Sequence, residues 1–306
     1  EVVEAHLERI AQVNGHVNAV VRVLAEEARA GADAADVALA TGKPLGVFHG
    51  VPFTIKENID VIGYPTTQGM PALAGAIPTL NAPAVDRMLG AGAIPIGRTN
   101  LPDLGLRIHT DSTLYGRTKN PWNLKYGSSG SSAGSTSATV AGLVPFAIGT
   151  ETYGSIVSPA TQCGATGLRP TFGSISRSGA MALSYSLDKV GPICRSANDA
   201  AIVFNYLHGT DGKDLSAFDA PFNYQPIKDI KKMRIAYAKN YFDQIKDTSK
   251  NEWKVLAAFK KMGVELIPVN FPDSGVYNFN IMDIIIGVEC AAQFDEMTRL
   301  NIDDEL

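Results

Sequence analysis

Two serine-bearing turns and one lysine are the residues whose types and spacing could carry out acyl transfer. The stretch 127–159 opens with the loop GSSAG at 130–134 and closes on the turn TYGS at 152–155. Glycine-rich turns let backbone N–H groups approach a ligand closely, and a helix that follows such a turn adds its positive end. Gly/Ser composition is also typical of linkers, but the apolar run 141–148 follows too directly for one. We therefore expect two serine loops around one buried element.

The first serine loop matches the nucleophile motif G-x-S-x-G, which would make Ser132 the nucleophile of an α/β-hydrolase. That motif needs a strand directly before it, and the segment 121–129 contains Pro, Asn and Gly instead. The five histidines also lie outside any clear triad spacing, although a histidine distant in sequence is compatible with a triad. The sequence context therefore disfavours Ser132.

The second turn offers Ser155 as the nucleophile, between an apolar strand-like run and a helix predicted from Ile156. Backbone N–H groups at such a turn could form an oxyanion hole. A buried lysine is an alternative base to histidine, and Lys56 follows the apolar run 50–55. Burial lowers a lysine pKa and makes the neutral amine available. The alternative, a strand-end lysine that faces water, stays open at this point.

Five ordered motifs resemble those of the amidase signature family. They are GVPFTIKENIDVIGYPTT around Lys56, GRTNLPDLG from Gly97, the serine-rich loop, GTETYGSIVSPA and CGATGLRPTFG, and the resemblance runs from about residue 1 to residue 300. It implies an α/β fold whose mixed, largely parallel central sheet is covered by helices on both faces. It also implies amide hydrolysis through a Ser-Ser-Lys triad without a cofactor or a metal.

The resemblance assigns the triad residue by residue. Lys56 matches the family lysine of the K-[DE]-N motif, and Ser155 matches the nucleophile of G-G-S-I. The family's bridging serine is held at a cis peptide, and the family spacing of 24 residues back from Ser155 reaches Ser131. Two glycines of the family loop are replaced here, so Ser128 and Ser129 stay open as alternative registers.

The mechanism that this resemblance implies is a proton relay. Neutral Lys56 would accept a proton from Ser131, which would take the proton of Ser155 as that residue attacks the amide carbonyl. The oxyanion would lie against the backbone N–H groups of the turn, those of Thr152, Tyr153, Gly154 and Ser155.

Three departures from the family pattern flank the nucleophile. Val157 stands where many members have Arg, Glu151 replaces the usual Asp, and Tyr153 replaces a Gly. Tyr153 keeps its backbone N–H for an oxyanion as long as its φ suits a residue other than glycine.

The positioning elements follow from periodicity. Apolar spacing predicts helices over residues 1–40, broken near Asn14-Gly15, and Leu101-Pro102-Asp103 is predicted to begin another helix. The remaining predictions are strands at 50–55, 93–97, 164–171, 232–238 and 264–269, helices at 84–89, 196–207, 250–262 and 278–300, and a surface excursion at 211–229.

Composition narrows the class of protein. The 306 residues carry a net charge of −4 without a clustered basic face, which disfavours a nucleic-acid binder. The three cysteines are far apart and predict neither a disulfide framework nor a zinc site, and no apolar run has the length of a membrane span. We expect a cytoplasmic protein, although the start at Glu1 is compatible with a removed segment. We also expect one amidase signature domain over 1–306, incomplete at its C-terminus.

Three functions follow in order of preference. The first is an amidase that cleaves linear, non-peptide amides, with a small-molecule amide as its partner, no membrane, and a homo-oligomer left open. The second is the A subunit of a glutamyl-tRNA(Gln)/aspartyl-tRNA(Asn) amidotransferase, a glutaminase that passes ammonia to a partner, because the run SRSGAMALSYSLDKVGP resembles that protein. The third is a non-catalytic binding protein that retains the fold.

Overall fold

The structure is a computed structural model of the 306-residue chain. It describes residues 1–43, 46–227, 229–272 and 280–303. Contacts divide the chain into two compact units, residues 1–224 with 286–306, and residues 225–285. The expectation of a single, incomplete domain over 1–306 stays a prediction.

Helices and strands alternate along most of the chain. The α-helices are α1 (Val2–Val17), α2 (Ala25–Ala40), α3 (Pro83–Gly90), α4 (Ala133–Val140), α5 (Val157–Cys163), α6 (Ala197–Leu207), α7 (Lys239–Phe242), α8 (Asn251–Lys261) and α9 (Asn280–Arg299). The strands are β1 (Val20–Val23), β2 (Pro52–Lys56), β3 (Ile94–Thr99), β4 (Asp111–Ser112), β5 (Gly116–Arg117), β6 (Lys119–Asn120), β7 (Asn123–Gly127), β8 (Phe146–Glu151), β9 (Thr166–Gly167), β10 (Lys189–Cys194), β11 (Ile235–Ala238) and β12 (Leu266–Val269). Short 3₁₀ turns lie at Pro71–Leu73, Asp103–Gly105 and Ile230–Lys232.

A mixed sheet of six strands organises the first unit, in the order β1-β3-β2-β8-β10-β9. The central strand β2 pairs in parallel with β3 and β8, whereas β1, β10 and β9 add antiparallel partners at the two sides. The expected α/β class with a mixed sheet is therefore confirmed, and its parallel part is the centre. This arrangement places the carboxyl ends of β2 and β8 at the same edge of the sheet.

Two apolar layers cover the sheet. One packs α3 and α6 against β2 and β8 through residues such as Phe53, Ile55 and Met88. The other packs α1, α2 and α4 against β1 and β3. Because side chains alternate along a strand, Thr54 and Lys56 point away from the layer that holds Phe53 and Ile55. Lys56 is thereby directed to the face on which α4 lies.

The N-terminal segment differs from the sequence prediction. Helix α1 continues through Asn14-Gly15 and ends at Val17, with Asn18 in the left-handed region at φ 51°. Val20–Val23, predicted as part of a helix, is the edge strand β1 paired with β3. The Asn14 side chain accepts from the N–H groups of Ala19 and Val20 at 3.0 and 2.8 Å. This side chain shapes the turn from inside the helix instead of breaking it.

The helix predicted to begin at Leu101-Pro102-Asp103 is wrong, since only one 3₁₀ turn forms there. Leu104 and Gly105 both have positive φ, at 54° and 70°, which a right-handed helix does not allow. The Asp103 carboxylate instead accepts from the N–H and hydroxyl of Thr113, both at 2.9 Å.

Other predicted elements are present with small shifts in their bounds. Helix α6 begins after Ser196, whose hydroxyl accepts from the Asp199 N–H at 3.1 Å as an N-cap. Strand 164–171 is reduced to the two residues of β9, and β10 is absent from the sequence prediction. For the predicted helix 278–300, residues 278 and 279 lie outside the described residues, and Asn280–Arg299 is helical.

The second unit, 225–285, contains a separate two-stranded parallel sheet of β11 and β12. The strand–helix–strand order predicted for 232–269 is confirmed, with α7 and α8 between the strands. Leu256 of α8 and Val264 are buried, and the rings of Phe242 and Trp253 pack edge to face at 5.2 Å. This small core belongs to the unit itself.

Candidate active site

Lys56 is the last residue of β2 and is completely buried, with 0% of its surface exposed. Its Nζ atom lies 2.7 Å from the Ser131 hydroxyl and 2.8 Å from the Thr150 hydroxyl. Asn58 donates to the same Thr150 hydroxyl at 2.9 Å. The interpretation of Lys56 as a strand-end lysine facing water is therefore wrong.

Burial also decides the protonation of Lys56. Desolvation lowers the pKa of its amine to about 7, and the charges of Asp188 and Glu151 act in the opposite direction. A charged group is disfavoured where water is absent, so loss of hydration is the larger effect here. At neutral pH a substantial fraction of Lys56 is consequently the neutral amine that a general base requires.

Ser131 lies in the loop directly before α4, and the Gly130–Ser131 peptide bond is cis. Its side chain is buried and faces Lys56. A Cβ at Gly130 would lie 2.8 Å from the carbonyl oxygen of Arg107, so the segment 105–110 covers this loop closely. Only glycine fits at that contact, which fixes how the loop presents Ser131.

The alternative serines of the loop make other contacts. The Ser132 hydroxyl donates to the Thr150 carbonyl at 3.0 Å and accepts from the Thr150 N–H at 3.3 Å. Ser129 donates to the Ile108 carbonyl at 3.0 Å, and Ser128 is buried. Among the hydrogen bonds of the described residues, the serine hydroxyl of this loop that meets Lys56 is that of Ser131.

Ser155 lies in the turn between β8 and α5 and is partly exposed. Gly154 has a φ of 109°, whereas Tyr153, which is 42% exposed, keeps a negative φ suited to a side chain. No hydrogen bond between backbone groups in the described chain uses the N–H of Tyr153, Gly154 or Ser155 as a donor. These N–H groups are therefore available to an oxyanion.

The two serine loops are joined through the backbone. The N–H of Ser132 donates to the carbonyl of Ser155 at 3.0 Å. A hydrogen bond between the Ser131 and Ser155 hydroxyls is not formed among the described residues. Catalytic hydrogen bonds are often long without substrate and shorten in the Michaelis complex, so this geometry does not exclude the second half of the relay.

Glu151 holds the nucleophile turn against α5. Its carboxylate accepts from the N–H groups of Ile156 and Val157 at 2.8 and 2.9 Å. Arg169 pairs with the other oxygen at 3.0 Å. A negative charge at a helix N-terminus is favourable, so the glutamate that replaces the family aspartate has a structural partner for each oxygen.

A cavity of about 230 Å³ opens beside these groups. Ser131 and Thr152 line it, together with side chains that the sequence prediction does not assign: Asn58, Thr150, Arg177, Asp188 and Lys189. Ser155 is not among the described residues that line this cavity. Asp188 is largely buried, which raises the pKa of its carboxyl, while the Thr152 hydroxyl donates to it.

The described part of the chain contains no cluster of three or more His, Cys, Asp or Glu side chains that could hold a metal ion. None of the helices described there has the length and apolar character needed to cross a membrane.

Comparison with known proteins places the chain among amide-cleaving enzymes. The family model described as Amidase matches residues 1–302. The A subunit of the glutamyl-tRNA(Gln) amidotransferase of Synechococcus sp. (strain CC9311) is 38% identical over 278 residues, which cover 89% of this chain. Its matched part is 57% of that relative, so the chain spans little more than half the length of this curated protein.

Solved structures give the same grouping. A bacterial aryl acylamidase of the amidase signature family superposes with a TM-score of 0.87 at 28% identity, over 99% of this chain and 64% of that chain. The peptide amidase of Stenotrophomonas maltophilia superposes with a TM-score of 0.84 at 29% identity, over 96% and 64% of the two chains.

Proposed function

Because this chain belongs to the Amidase family, we propose that it carries the catalytic centre of a hydrolase that cleaves a linear, non-peptide carboxylic amide to an acid and ammonia or an amine. The reaction passes through an acyl-enzyme on Ser155 and uses no cofactor. We assign Lys56 as the base and Ser131 as the bridging hydroxyl. The oxyanion site consists of the turn N–H groups of Thr152, Tyr153, Gly154 and Ser155.

The buried contact between Lys56 and Ser131 is the observation that carries this proposal. The lysine is completely buried, desolvation lowers its pKa to about 7, and its Nζ lies 2.7 Å from the Ser131 hydroxyl. A charged lysine without a carboxylate partner is costly in such a place unless the neutral form has a use. The short contact gives the neutral amine a hydroxyl from which to accept a proton.

The proposed steps conserve charge and protons. The Ser155 oxygen attacks the amide carbonyl while its proton passes to Ser131, whose own proton passes to Lys56. The turn N–H groups stabilise the oxyanion, and the loss of one such donor typically costs about 10²–10³ in rate. The protonated relay then returns a proton to the leaving nitrogen, the C–N bond breaks, and water releases the acid by the same route.

The experiment that tests the proposal is hydrolysis of simple aliphatic, aromatic and amino-acid amides by the full-length protein. We expect release of ammonia or amine from at least one amide class by the wild type and loss of that activity in Ser155→Ala. Retained activity in a folded Ser155→Ala variant would refute the assignment of the nucleophile.

A second candidate function is the A subunit of a glutamyl-tRNA(Gln)/aspartyl-tRNA(Asn) amidotransferase. The 38% identity to the Synechococcus relative of that name favours it. The same triad would then hydrolyse glutamine, and ammonia would pass to a partner protein. Glutaminase activity that depends on a co-purifying B-type subunit would establish this function, whereas partner-independent hydrolysis of simple amides would exclude it.

A non-catalytic binding protein is the remaining alternative. The buried contact between Lys56 and Ser131 argues against it, because a binding protein has no use for a desolvated amine next to a hydroxyl. A cytoplasmic location and a homo-oligomer stay predictions.

A further inference from the structure

Lys189 is a buried cation in the cavity that the proposed mechanism does not use. It is the first residue of β10, is 5% exposed, and lines the same cavity as Ser131. Its Nζ atom donates to the carbonyl of Thr152 at 3.4 Å and to the carbonyl of Leu187. Both acceptors are uncharged, so neither neutralises the ammonium.

The carboxylates near Lys189 are already engaged by other groups. Asp188 accepts from the Thr152 hydroxyl and from the N–H groups of Leu183 and Ser184, at 2.7 and 3.0 Å. Glu151, which faces Lys189 across the β8–β10 ladder, is paired with Arg169 at 3.0 Å.

The other cation of the cavity is compensated. Arg177 binds Asp214 with two parallel contacts, Nε to Oδ2 at 2.9 Å and Nη2 to Oδ1 at 3.0 Å. Among the ion pairs of the described residues none includes Lys189. Lys189 is therefore the cationic lining residue left to meet an anion from the substrate.

The charge of Lys189 persists at neutral pH. Burial lowers the pKa of its amine to about 8, and the nearby positive charge of Arg169 acts in the same direction, while Glu151 and Asp188 oppose both. A pKa near 8 leaves most of the ammonium protonated at pH 7. An anionic group placed against it would gain a charge-assisted hydrogen bond, which is roughly twice as strong as a neutral one.

We propose that Lys189 makes this site select amides whose acyl part carries a carboxylate, such as the monoamide of a short dicarboxylic acid. This inference rests on the proposed amidase function. The cavity volume of about 230 Å³ suits an acyl chain of a few carbons. The substrate carboxylate pairs with Lys189 while its amide carbonyl lies near Ser131 and the nucleophile turn.

The test compares an anionic amide with a neutral one of similar shape, succinamate against butyramide, on the full-length protein. We expect kcat/KM for succinamate to exceed that for butyramide by about tenfold or more, the range expected of a hydrogen bond to a charged group. Lys189→Gln, which keeps a donor for the two carbonyls but lacks the charge, should remove that preference mainly through KM. Lys189→Arg should retain it, and the exposed Lys125→Gln is the matched control.

Each outcome decides a different claim. Equal kcat/KM values for the two amides in the wild type, or an unchanged ratio in Lys189→Gln, overturn the inference while the amidase function stands. An equal loss for both amides in Lys189→Gln, with fluorophosphonate labelling also lost, shows a structural role and overturns it as well. If Lys189→Gln does not fold, Lys189→Met gives the same comparison. A wild type that neither reacts with the fluorophosphonate nor hydrolyses either amide refutes the proposed function itself.

Discussion

Lys56 has three contacts that a solvent-facing lysine would not need. Its Nζ meets the Ser131 hydroxyl, the Thr150 hydroxyl and, at 3.5 Å, the Thr150 carbonyl. The neutral amine can accept from one hydroxyl while its two N–H bonds donate to the acceptors at Thr150. The surroundings of Lys56 therefore satisfy the uncharged base as well as the ammonium.

We predict that Lys56→Ala lowers kcat by about 10²–10⁴, the usual value of positioned proton transfer. The matched control is Lys125→Ala, since Lys125 lies exposed on β7 and has no part in the site. Steady-state hydrolysis of one amide by both variants measures the difference. Equal activity of the two variants would show that Lys56 is not the base.

The pH dependence follows from the direction of the Lys56 shift. Burial lowers the pKa to about 7, so the neutral base is scarce below that pH and abundant above it. Activity that needs the neutral amine must rise with pH through this region. The Thr150 hydroxyl accepts a stronger hydrogen bond from an ammonium than from an amine, so it raises the Lys56 pKa relative to a site without it.

We predict that Thr150→Val moves the acidic limb of the profile of kcat/KM against pH to lower pH. Valine keeps the branched shape and removes the acceptor, so the ammonium loses stabilisation and the amine deprotonates earlier. Thr150→Ser retains the hydroxyl and should keep the limb near its wild-type position. A limb that stays in place in Thr150→Val, or is flat in the wild type, contradicts a lysine base.

The sequence could identify only those site residues that lie in local motifs. Lys56 ends an apolar run, and Ser155 follows a strand-like run, so each has a signal within a few neighbours. Asp188 and Lys189 have no such signal, because β10 lies beside β8 only through long-range antiparallel pairing. Their part in the cavity depends on strand register, which the local pattern does not contain.

At the scale of elements, the turn 152–155 depends on one backbone conformation. Gly154 has a φ of 109°, which residues with a Cβ adopt only at a cost of about 1–3 kcal/mol. Relief of this strain would reorient the neighbouring N–H groups. The conformation of this glycine is thus linked to the oxyanion site as well as to the stability of the turn.

We predict that Gly154→Ala loses both stability and kcat, with a fall in kcat approaching the ~10²–10³ that the loss of one oxyanion donor costs. Gly142→Ala is the control, because Gly142 also has a positive φ, 71°, and a Cβ there meets nothing within 4 Å. Thermal unfolding and kcat are measured for both. A similar loss of kcat in the two variants would assign the effect to stability alone.

The elements that the sequence predicts well are those with local signals. Helix α6 has its Ser196 cap, and β2 and β3 with α3 between them show short buried runs and glycine turns. Strand β10 lacks such a signal because Gly191 and Pro192, which usually mark turns or sheet edges, stand in its middle. Strand β1 fits a helix equally well because its valines also have helical spacing, and pairing with β3 decides the outcome.

For the whole molecule, the buried Lys56 lowers the free energy of unfolding over a defined range of pH. The folded pKa, about 7, lies below the ordinary value of about 10.4, so the unfolded chain binds more protons between these limits. Stability from this group therefore rises with pH across that window. Below pH 7 the destabilisation is fully present.

We predict that Lys56→Met, which keeps much of the volume and removes the charge, is more stable than the wild type at pH 6, and that the difference shrinks by pH 9. Urea unfolding at both pH values measures it, with Lys125→Met as the control for a surface lysine. A difference that does not change with pH would mean that Lys56 titrates normally in the folded protein.

Ser155, as the residue that forms the covalent bond, is the centre of the proposed mechanism. The direct measurement is mass spectrometry of the full-length protein after reaction with a fluorophosphonate. We predict one adduct on Ser155, absent in Ser155→Ala and strongly reduced in Lys56→Ala. An adduct on Ser132, or labelling that survives in Ser155→Ala, would contradict the mechanism.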